Sequence, residues 1–266
     1  MNHGSLFSGI GGFDLAAEWM GWNNIFHCEW NQFGQQVLKY HFPNSISYAD
    51  ITKTDFSIHR GTIDILTGGF PCQPYSTAGK RLGKADERHL FPEMLRAIKE
   101  IQPKWIIGEN VLGLVSWNGG MVFHEVQDDL ERQGYEVQSF LIPAASVNAP
   151  HRRERVWFIA HSKCTRLEYR DKATNISKKE NKTFGKTSKF TDEFEATCSK
   201  FNSTEYTNLQ TEQLLCRGYD GISERLDKIT FSKWRKESIK AYGNAIVPQV
   251  ALQIFKAIQQ FENETT

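Results

Sequence analysis

The chain has 266 residues, of which 39% are hydrophobic and 12% aromatic, enough to bury the core of one large domain with a small appendage. Charged residues make up 24% and the mean hydropathy is −0.50, values that argue against a disordered or fibrous protein. The sequence lacks a basic start followed by an apolar run, and no 18-residue apolar stretch occurs in it. We therefore expect a soluble, cytoplasmic protein without a signal peptide or membrane span.

The five cysteines include no C-x-x-C pair, so the sequence predicts reduced thiols and neither a disulfide framework nor a metal site. Lysine and arginine together exceed aspartate and glutamate by one, 32 against 31. This balance hides an asymmetry, because residues 1–162 carry a net charge of −3 and residues 163–241 carry +5. The basic excess in the second half favours an anionic partner there.

Short apolar runs alternate with segments of helical period from residue 4 to residue 162, a pattern typical of alternating β and α units. The predicted strands are residues 5–7, 24–27, 63–67, 105–109, 136–142 and 156–160. The predicted helices are residues 12–20, 32–41, 89–101 and 122–133. The expected fold class is α/β, with a doubly wound, mostly parallel sheet.

The chain divides into three parts by composition. Residues 1–162 form the expected first domain, and residues 163–217 change to Lys, Thr, Ser, Asn and Glu with few aliphatic side chains. An apolar helical face returns in residues 245–261, so residues 218–266 are expected to return to the first domain.

The run Phe7-Ser8-Gly9-Ile10-Gly11-Gly12 links a predicted strand to a predicted helix, where backbone N–H groups can face a ligand at close range. Asp14 stands where a dinucleotide fingerprint needs glycine, so a nicotinamide site fits poorly. Glu29 ends the next strand, about 20 residues later, where a carboxylate can accept hydrogen bonds from ribose hydroxyls. A plain tight turn is the alternative interpretation.

A second loop, Gly68-Gly69-Phe70-Pro71-Cys72-Gln73-Pro74, follows a predicted apolar strand. Ligands of open parallel sheets bind beyond the carboxyl ends of the strands, so this loop is expected to face the cleft. A cysteine between two prolines lies on a stiff, exposed loop, which favours a reactive thiol over the more common buried and inert one.

Three further blocks carry charged or polar groups. Glu109 ends another predicted strand and is expected in the same cleft, although Glu-Asn is more often a cap of a helix or turn. Arg153 and Arg155 precede a buried strand and suit clamping of a phosphate or carboxylate, the alternative being a solvated charge run. Residues 242–248, Tyr-Gly-Asn-Ala-Ile-Val-Pro, open the last predicted helix, for which capping is the simpler account.

In this linear order the five blocks resemble the DNA (cytosine-5) methyltransferase family, in its compact bacterial or phage form. The match covers residues 4–162 and roughly 218–262 and leaves the variable segment uncovered. The resemblance implies a Rossmann-like fold and transfer of a methyl group from S-adenosylmethionine to C5 of a flipped-out cytosine, leaving S-adenosylhomocysteine. It also implies a covalent adduct between Cys72 and C6 of the base, in a restriction-modification system or a phage.

The resemblance implies a role for each catalytic residue. Cys72 is the expected nucleophile, and Glu109 is expected at ring N3 as a proton donor, which needs a raised pKa. Arg155 of the Arg153–Arg155 pair is expected at the base carbonyl oxygen. Water is expected to remove the C5 proton.

The resemblance also implies two sets of binding residues. The cofactor set comprises Phe7, Gly9, Gly11, Gly12, Glu29, Trp30, Asp50, Ile51, Gly69, Pro71, Leu90, Asn244 and Ala245. The DNA set comprises Gln73, Ser76, Lys80, Arg81 and Lys84, in a basic loop that is expected to close over DNA. Residues 163–217 are the expected target-recognition segment, and the expected partners are double-stranded DNA and a cognate restriction endonuclease acting on the same site, with the enzyme a monomer.

Three alternatives stay open at this point. A tRNA cytosine-5 methyltransferase uses the same thiolate chemistry, but the Cys-Phe-Thr signature of that branch is missing from the sequence. A catalytically inactive DNA-binding relic would keep the fold, although the intact Cys72, Glu109 and Arg155 speak against it. A nicotinamide oxidoreductase is the most remote.

Overall fold

A computed structural model describes residues 1–71, 90–163 and 231–265, the first three residues of the last range by their backbone alone. Within these ranges one sheet is formed by β1 (Asn2–Leu6), β2 (Asn23–Cys28), β3 (Ile46–Tyr48), β4 (Ile65–Gly68), β5 (Trp105–Val111), β6 (Tyr135–Pro143) and β7 (Glu154–Ser162). The strand order is β3-β2-β1-β4-β5-β7-β6, and only β7 runs antiparallel to its neighbours. The predicted doubly wound, mostly parallel α/β architecture is confirmed.

The helices of the described ranges are α1 (Gly12–Trp19), α2 (Gln32–His41), α3 (Phe91–Ile101), α4 (Gly113–Ser116), α5 (Met121–Arg132), α6 (Phe231–Asn244) and α7 (Pro248–Thr265). Short 3-10 turns occupy Ser57–His59, Trp117–Gly120 and Ala144–Val147. α2 begins at the side chain of Asn31, whose Oδ1 accepts hydrogen bonds from the backbone N–H groups of Phe33 and Gly34. The resulting cap fixes the start of α2 just after the end of β2.

The core consists of two apolar layers, one on each face of the sheet. Successive strand residues point to opposite faces, so Ile106 joins the layer of α3 and α5 while Ile107 joins the layer of α1 and α7. The adjacent pair Trp157 and Phe158 divides in the same way on β7. Burial on both faces explains why the central strands read as continuous apolar runs.

The helix α7 completes the second layer, far along the chain from the strands it covers. Phe255 is fully buried and stacks on Trp22, with ring centroids 4.7 Å apart. The indole N–H of Trp22 donates to Gln259 Oε1 at 3.3 Å, and that of Trp105 donates to Glu262 Oε1 at 2.9 Å. Apolar packing and these polar contacts together fix α7 against α1 and the sheet.

Some boundaries differ from the sequence prediction. β1 begins at Asn2 and ends before Phe7, whose positive φ of 52° takes the chain out of the strand. The first residues of β1 are polar, so the sequence did not indicate a strand there. His3 is nevertheless buried, and its ring is hydrogen-bonded to Asn24 Oδ1 at 2.7 Å and Thr67 Oγ1 at 2.9 Å. Neither β3 nor α6 was predicted, and the last helix starts at residue 248 instead of 245.

No helix in the described ranges is long and apolar enough to cross a membrane. In the same ranges, no group of three or more His, Cys, Asp or Glu side chains is arranged to hold a metal ion. The predicted target-recognition segment, apart from Lys163, lies outside the described residues.

Candidate active site

Several strands reach the same edge of the sheet in register. β2, β1 and β4 end level with one another, and β5 passes this level on its way to Val111. The row of paired residues at this level is formed by Cys28, Leu6, Gly68 and Gly108. The residues that follow it are Glu29, Phe7, Gly69 and Glu109. Blocks separated by up to 100 residues in sequence therefore meet at one edge, as expected for strand ends in a parallel sheet.

The turn after β1 leaves backbone open to a ligand. Phe7, Gly9 and Gly11 all have positive φ, at 52°, 58° and 86°. Ser8 anchors the turn, since its hydroxyl donates to the Ser5 carbonyl at 3.1 Å and its Oγ accepts the Cys28 N–H at 3.2 Å. A Cβ atom built on Gly9 would meet nothing within 4 Å. This free space lets a ligand approach the turn closely.

Glu29 is fixed by the backbone on both sides. Its Oε2 accepts the Gly9 N–H and its Oε1 accepts the Asn31 N–H, each at 2.7 Å. Burial raises the pKa of Glu29, and these backbone hydrogen bonds oppose the rise. The carboxyl is thus held beside the turn with lone pairs left to receive hydroxyl groups.

Sequence reasoning missed Gly34, which allows α2 to pack against this turn. A Cβ atom at Gly34 would lie 2.6 Å from the Gly9 carbonyl oxygen and 2.9 Å from Glu29 Cγ, both far below contact distance. The sequence did carry a signal for this contact. Gly34 lies in the first turn of a predicted helix, where glycine is unfavourable and therefore needs another reason, such as a close approach of backbone.

The other residues predicted to surround an adenine follow β2 and β3. Ile51 is buried in the apolar cluster against which Phe7 packs. Asp50 accepts hydrogen bonds from the N–H and hydroxyl of Thr52 at 3.0 and 2.7 Å, and these bonds lower its pKa. Trp30 is 73% exposed, so its ring is available to a ligand.

Glu109 is a buried acid with one cationic partner. The residue is 9% exposed, and its Oε1 lies 2.9 Å from Nε of Arg155. Burial raises the pKa of Glu109 to about 7, while the charges of Arg155 and Arg153 act in the opposite direction. The carboxyl therefore carries a proton for part of the time near neutral pH, as a proton donor must.

Asn110 was predicted only as part of a possible cap, and its buried side chain instead joins β5 to the loop after β4. Its Nδ2 donates to the Phe70 carbonyl at 3.1 Å, and its Oδ1 accepts the Val111 N–H at 2.9 Å. Phe70 and Pro71 lead directly to Cys72. Asn110 thus ties the loop that carries the predicted nucleophile to the strand that carries Glu109.

The two arginines of the Arg-x-Arg block separate. Arg155 faces Glu109, whereas Arg153 donates to the carbonyl oxygens of Gly243 at 2.8 Å and Ala245 at 2.7 Å. Arg152 is 84% exposed at its side chain and pairs with Glu154 at 3.1 Å. The block is therefore no uniform charge run, because each arginine has its own partner.

Of the remaining predicted residues, Gly69 lies closest to Glu109. A Cβ atom there would be 3.5 Å from Glu109 Oε2 and 3.5 Å from Ile246 Cδ1. Leu90 precedes α3 and is partly buried, and Asn244 is exposed at the end of α6. The predicted residues that fall outside the described ranges are Cys72, Gln73, Ser76, Lys80, Arg81 and Lys84.

Cys28 is the free cysteine of the described ranges, and it is unsuited to nucleophilic chemistry. It is buried, and burial raises the pKa of its thiol to about 12. The thiol therefore stays protonated near neutral pH, which removes Cys28 from consideration as the nucleophile.

Comparison with known proteins shows the family of this chain. The family described as C-5 cytosine-specific DNA methylase matches residues 1–225. The chain belongs to this family. The type II methyltransferase M.PspPI of Psychrobacter sp. (strain TA137) is 40% identical over 157 residues, 58% of this chain and 38% of that protein. M.Eco47II of Escherichia coli is 35% identical over 158 residues, again 58% of this chain and 38% of the other.

Among solved structures, a candidate DNA modification methyltransferase encoded within a prophage (E. coli) superposes with a TM-score of 0.63. The identity is 19%, over 99% of both chains, and this likeness shows the fold. Against the two type II enzymes, the present chain spans about two fifths of their length.

Proposed function

We propose that this chain is a DNA (cytosine-5) methyltransferase acting on a cytosine extruded from duplex DNA. Family membership over residues 1–225 supports the reaction class. The observation that carries the proposal is the ion pair between the buried Glu109 and the partly buried Arg155, at the same sheet edge as the glycine turn. The part of this edge at the glycine turn and Glu29 suits a nucleoside cofactor, and the part at Glu109 suits protonation of a base.

The chemistry follows from the low nucleophilicity of cytosine C5. The Cys72 thiolate forms a bond to C6, Glu109 gives a proton to N3, and electron density rises at C5, the carbon that receives the methyl group. The C5 proton then leaves to water, the C6–S bond breaks, and Glu109 recovers its proton from N3. The Arg155 guanidinium, which pairs with Glu109, would donate a hydrogen bond to the base carbonyl oxygen.

The cofactor side of the edge fits S-adenosylmethionine, which supplies the methyl group when bound and leaves as S-adenosylhomocysteine. The open space at Gly9 admits a close ligand, and the fixed Glu29 carboxyl suits ribose hydroxyls. The exposed Trp30 and the Asp50–Ile51 turn would hold the adenine. Asn244 and Ala245 would hold the methionine part.

The remaining parts of the proposal concern DNA. Extruding a base costs a few kcal/mol of unstacking, which contacts outside the pocket must offset. We assign these contacts to Gln73, Ser76 and the basic residues Lys80, Arg81 and Lys84. We assign recognition of the target sequence to residues 163–217. In sequence this segment separates the catalytic domain (1–162) from its C-terminal part (218–266). The type II names of the relatives support a restriction-modification partner, and we propose a monomer acting in the cytoplasm.

The test is transfer of a labelled methyl group from S-adenosylmethionine to unmethylated duplex DNA and, in parallel, to tRNA. We expect 5-methylcytosine in DNA with the wild type and none with Cys72→Ser, while both proteins bind S-adenosylmethionine. Cys28→Ser is the matched control, since that thiol is buried and protonated, and it should retain transfer within a few-fold.

Other outcomes separate the alternatives. Label in tRNA alone would identify a tRNA methyltransferase, and full activity of Cys72→Ser would refute the proposed nucleophile. With S-adenosylmethionine present, a DNA duplex containing 5-fluorocytosine should become covalently bound to the wild type. Fluorine cannot leave C5 as the proton does, so the C6–S bond is not broken. An inactive relic would bind that DNA without forming the bond.

A further inference from the structure

Arg153 contacts the backbone on both sides of Asn244 and makes no ion pair with Glu109. Its two terminal guanidinium nitrogens donate to the carbonyl oxygens of Gly243 and Ala245, at 2.8 and 2.7 Å. Arg155, two residues further along the chain and within β7, pairs with Glu109. The two arginines of one short block thus reach two different parts of the site.

The carbonyl oxygens to which Arg153 donates lie at the end of α6, where carbonyl groups lack hydrogen-bond donors. Gly243 lies in the last turn of α6, where carbonyl groups have no intrahelical N–H. A guanidinium supplies two donors in a fixed plane and a positive charge that complements the negative end of the helix. Arg153 therefore closes α6 and fixes the direction in which the chain leaves it.

The backbone of Arg153 is held in an uncommon conformation. Its φ of 35° lies in the left-handed region, which a non-glycine residue adopts only when its surroundings hold it there. The turn that it contacts is itself tightly packed, since a Cβ atom on Gly12 would lie 2.9 Å from the carbonyl oxygen of Ile246. The turn at residues 243–246 is thus held between Arg153 and the glycine turn.

We propose that Arg153 is a positioning residue for the cofactor, which holds the Asn244–Ala245 backbone against the glycine turn. This inference rests on the proposed function, in which Asn244 and Ala245 contact the methionine part of the cofactor. Arg153 acts through this backbone, whereas Arg155 acts on the base. The three residues 153–155, at the start of β7, therefore link cofactor affinity to the orientation of the acid.

The competing role for Arg153 is in base chemistry, because its charge lowers the pKa of Glu109. The two roles make different predictions. A base-directed arginine changes the rate of methyl transfer with little effect on the cofactor alone. A cofactor-positioning arginine changes the dissociation constant of S-adenosylhomocysteine in the absence of DNA.

The test is calorimetric titration of S-adenosylhomocysteine into the full chain without DNA. Arg153→Gly is the informative variant, because glycine adopts the left-handed backbone conformation without strain while the guanidinium is lost with the rest of the side chain. We expect its Kd to rise at least tenfold, and that of Arg153→Lys, which retains one donor group, to rise less. Arg152→Ala is the control, since its exposed side chain contacts neither block, and its Kd should stay within twofold.

A wild-type Kd in a folded Arg153→Gly protein, as judged by its unfolding midpoint, would overturn the assignment. Loss of methyl transfer without a change in Kd would give Arg153 to the base instead and overturn it equally. If the wild type binds S-adenosylhomocysteine in an Arg153-dependent way but methylates no DNA, only the proposed substrate is wrong. A wild type that binds no S-adenosylhomocysteine would overturn both proposals.

Discussion

Burial and the neighbouring arginines shift the pKa of Glu109 in opposite directions, with Arg155 the stronger of the two charges. Removal from water disfavours the carboxylate, and the Arg155 guanidinium at 2.9 Å favours it. Burial dominates, so the pKa rises to about 7. A buried acid without the arginine would hold its proton too firmly to donate it, and an exposed one would have none at neutral pH. The pair therefore adjusts the acid to the pH at which the thiol of Cys72 must react.

Arg155→Ala should raise the pKa of Glu109 further, because it removes the principal charge that lowers it. Methyl transfer should fall at least tenfold, and the decline of its rate at alkaline pH should move upward by on the order of one pH unit. A single-turnover pH profile measures both. Arg152→Ala should leave the profile in place, and a shift of the Arg155→Ala profile to lower pH would contradict the role of Glu109 as the acid.

The roles of Glu109 and Asn110 show what the sequence could predict at this scale. Glu109 follows a strongly apolar strand, so its place at the sheet edge is encoded locally. The hydrogen bond from Asn110 of β5 to the Phe70 carbonyl joins segments that are 40 residues apart, and nothing in either segment alone encodes it. Contacts of that kind depend on the register of β4 and β5, which only the assembled sheet determines.

Among the elements, α2 can pack close to the site because Gly34 has no side chain. Gly34 brings the first turn of α2 against Gly9 and Glu29. The elements that the sequence did not reveal are the weakly patterned ones. β3 is three residues long and its first two residues are exposed, and α6 is a basic helix with few buried side chains. Long apolar strands and amphipathic helices were identified because burial imposes a period on them.

Gly34→Ala should weaken cofactor binding by tenfold or more, since the added methyl group would overlap the Gly9 carbonyl and displace Glu29. Titration with S-adenosylhomocysteine measures this loss. Gly113→Ala is the matched control, because a Cβ atom there meets only Val111 Cγ2 at 4.0 Å. Equal affinities in the two variants would show that the close approach of α2 has no bearing on the site.

Across the whole molecule, ionisable groups are buried in the layers as well as at the site. Asp14, in the first turn of α1, is fully buried, and burial raises the pKa of its carboxyl to about 7. His3 is equally buried and its pKa falls to about 4. The first group makes the fold less stable as pH rises, and the second makes it less stable as pH falls.

Asp14→Asn should flatten the dependence of stability on pH. An unfolded Asp loses its proton near pH 3.8 and the folded one near 7, so the free energy of unfolding of the wild type falls between these values through this group. The difference between variant and wild type should grow by up to about 4 kcal/mol across that range. Urea unfolding at pH 4.5, 6 and 7.5 measures it, and His3 contributes equally to both proteins. If the free energies of unfolding of variant and wild type differ by the same amount at all three pH values, Asp14 is charged in the folded chain.

The position of α7 has a consequence for synthesis on the ribosome. The face of the sheet that presents Ile65, Trp105 and Trp157 is covered by a helix that begins at Pro248. At about 5–20 residues per second, the ribosome needs on the order of 10 s to progress from β5 to α7. Until then this aromatic face stays open on the nascent chain, as a surface on which chaperones can bind or aggregation can begin. Translation of α7 therefore ends the period in which this face of the sheet is open to water and to other chains.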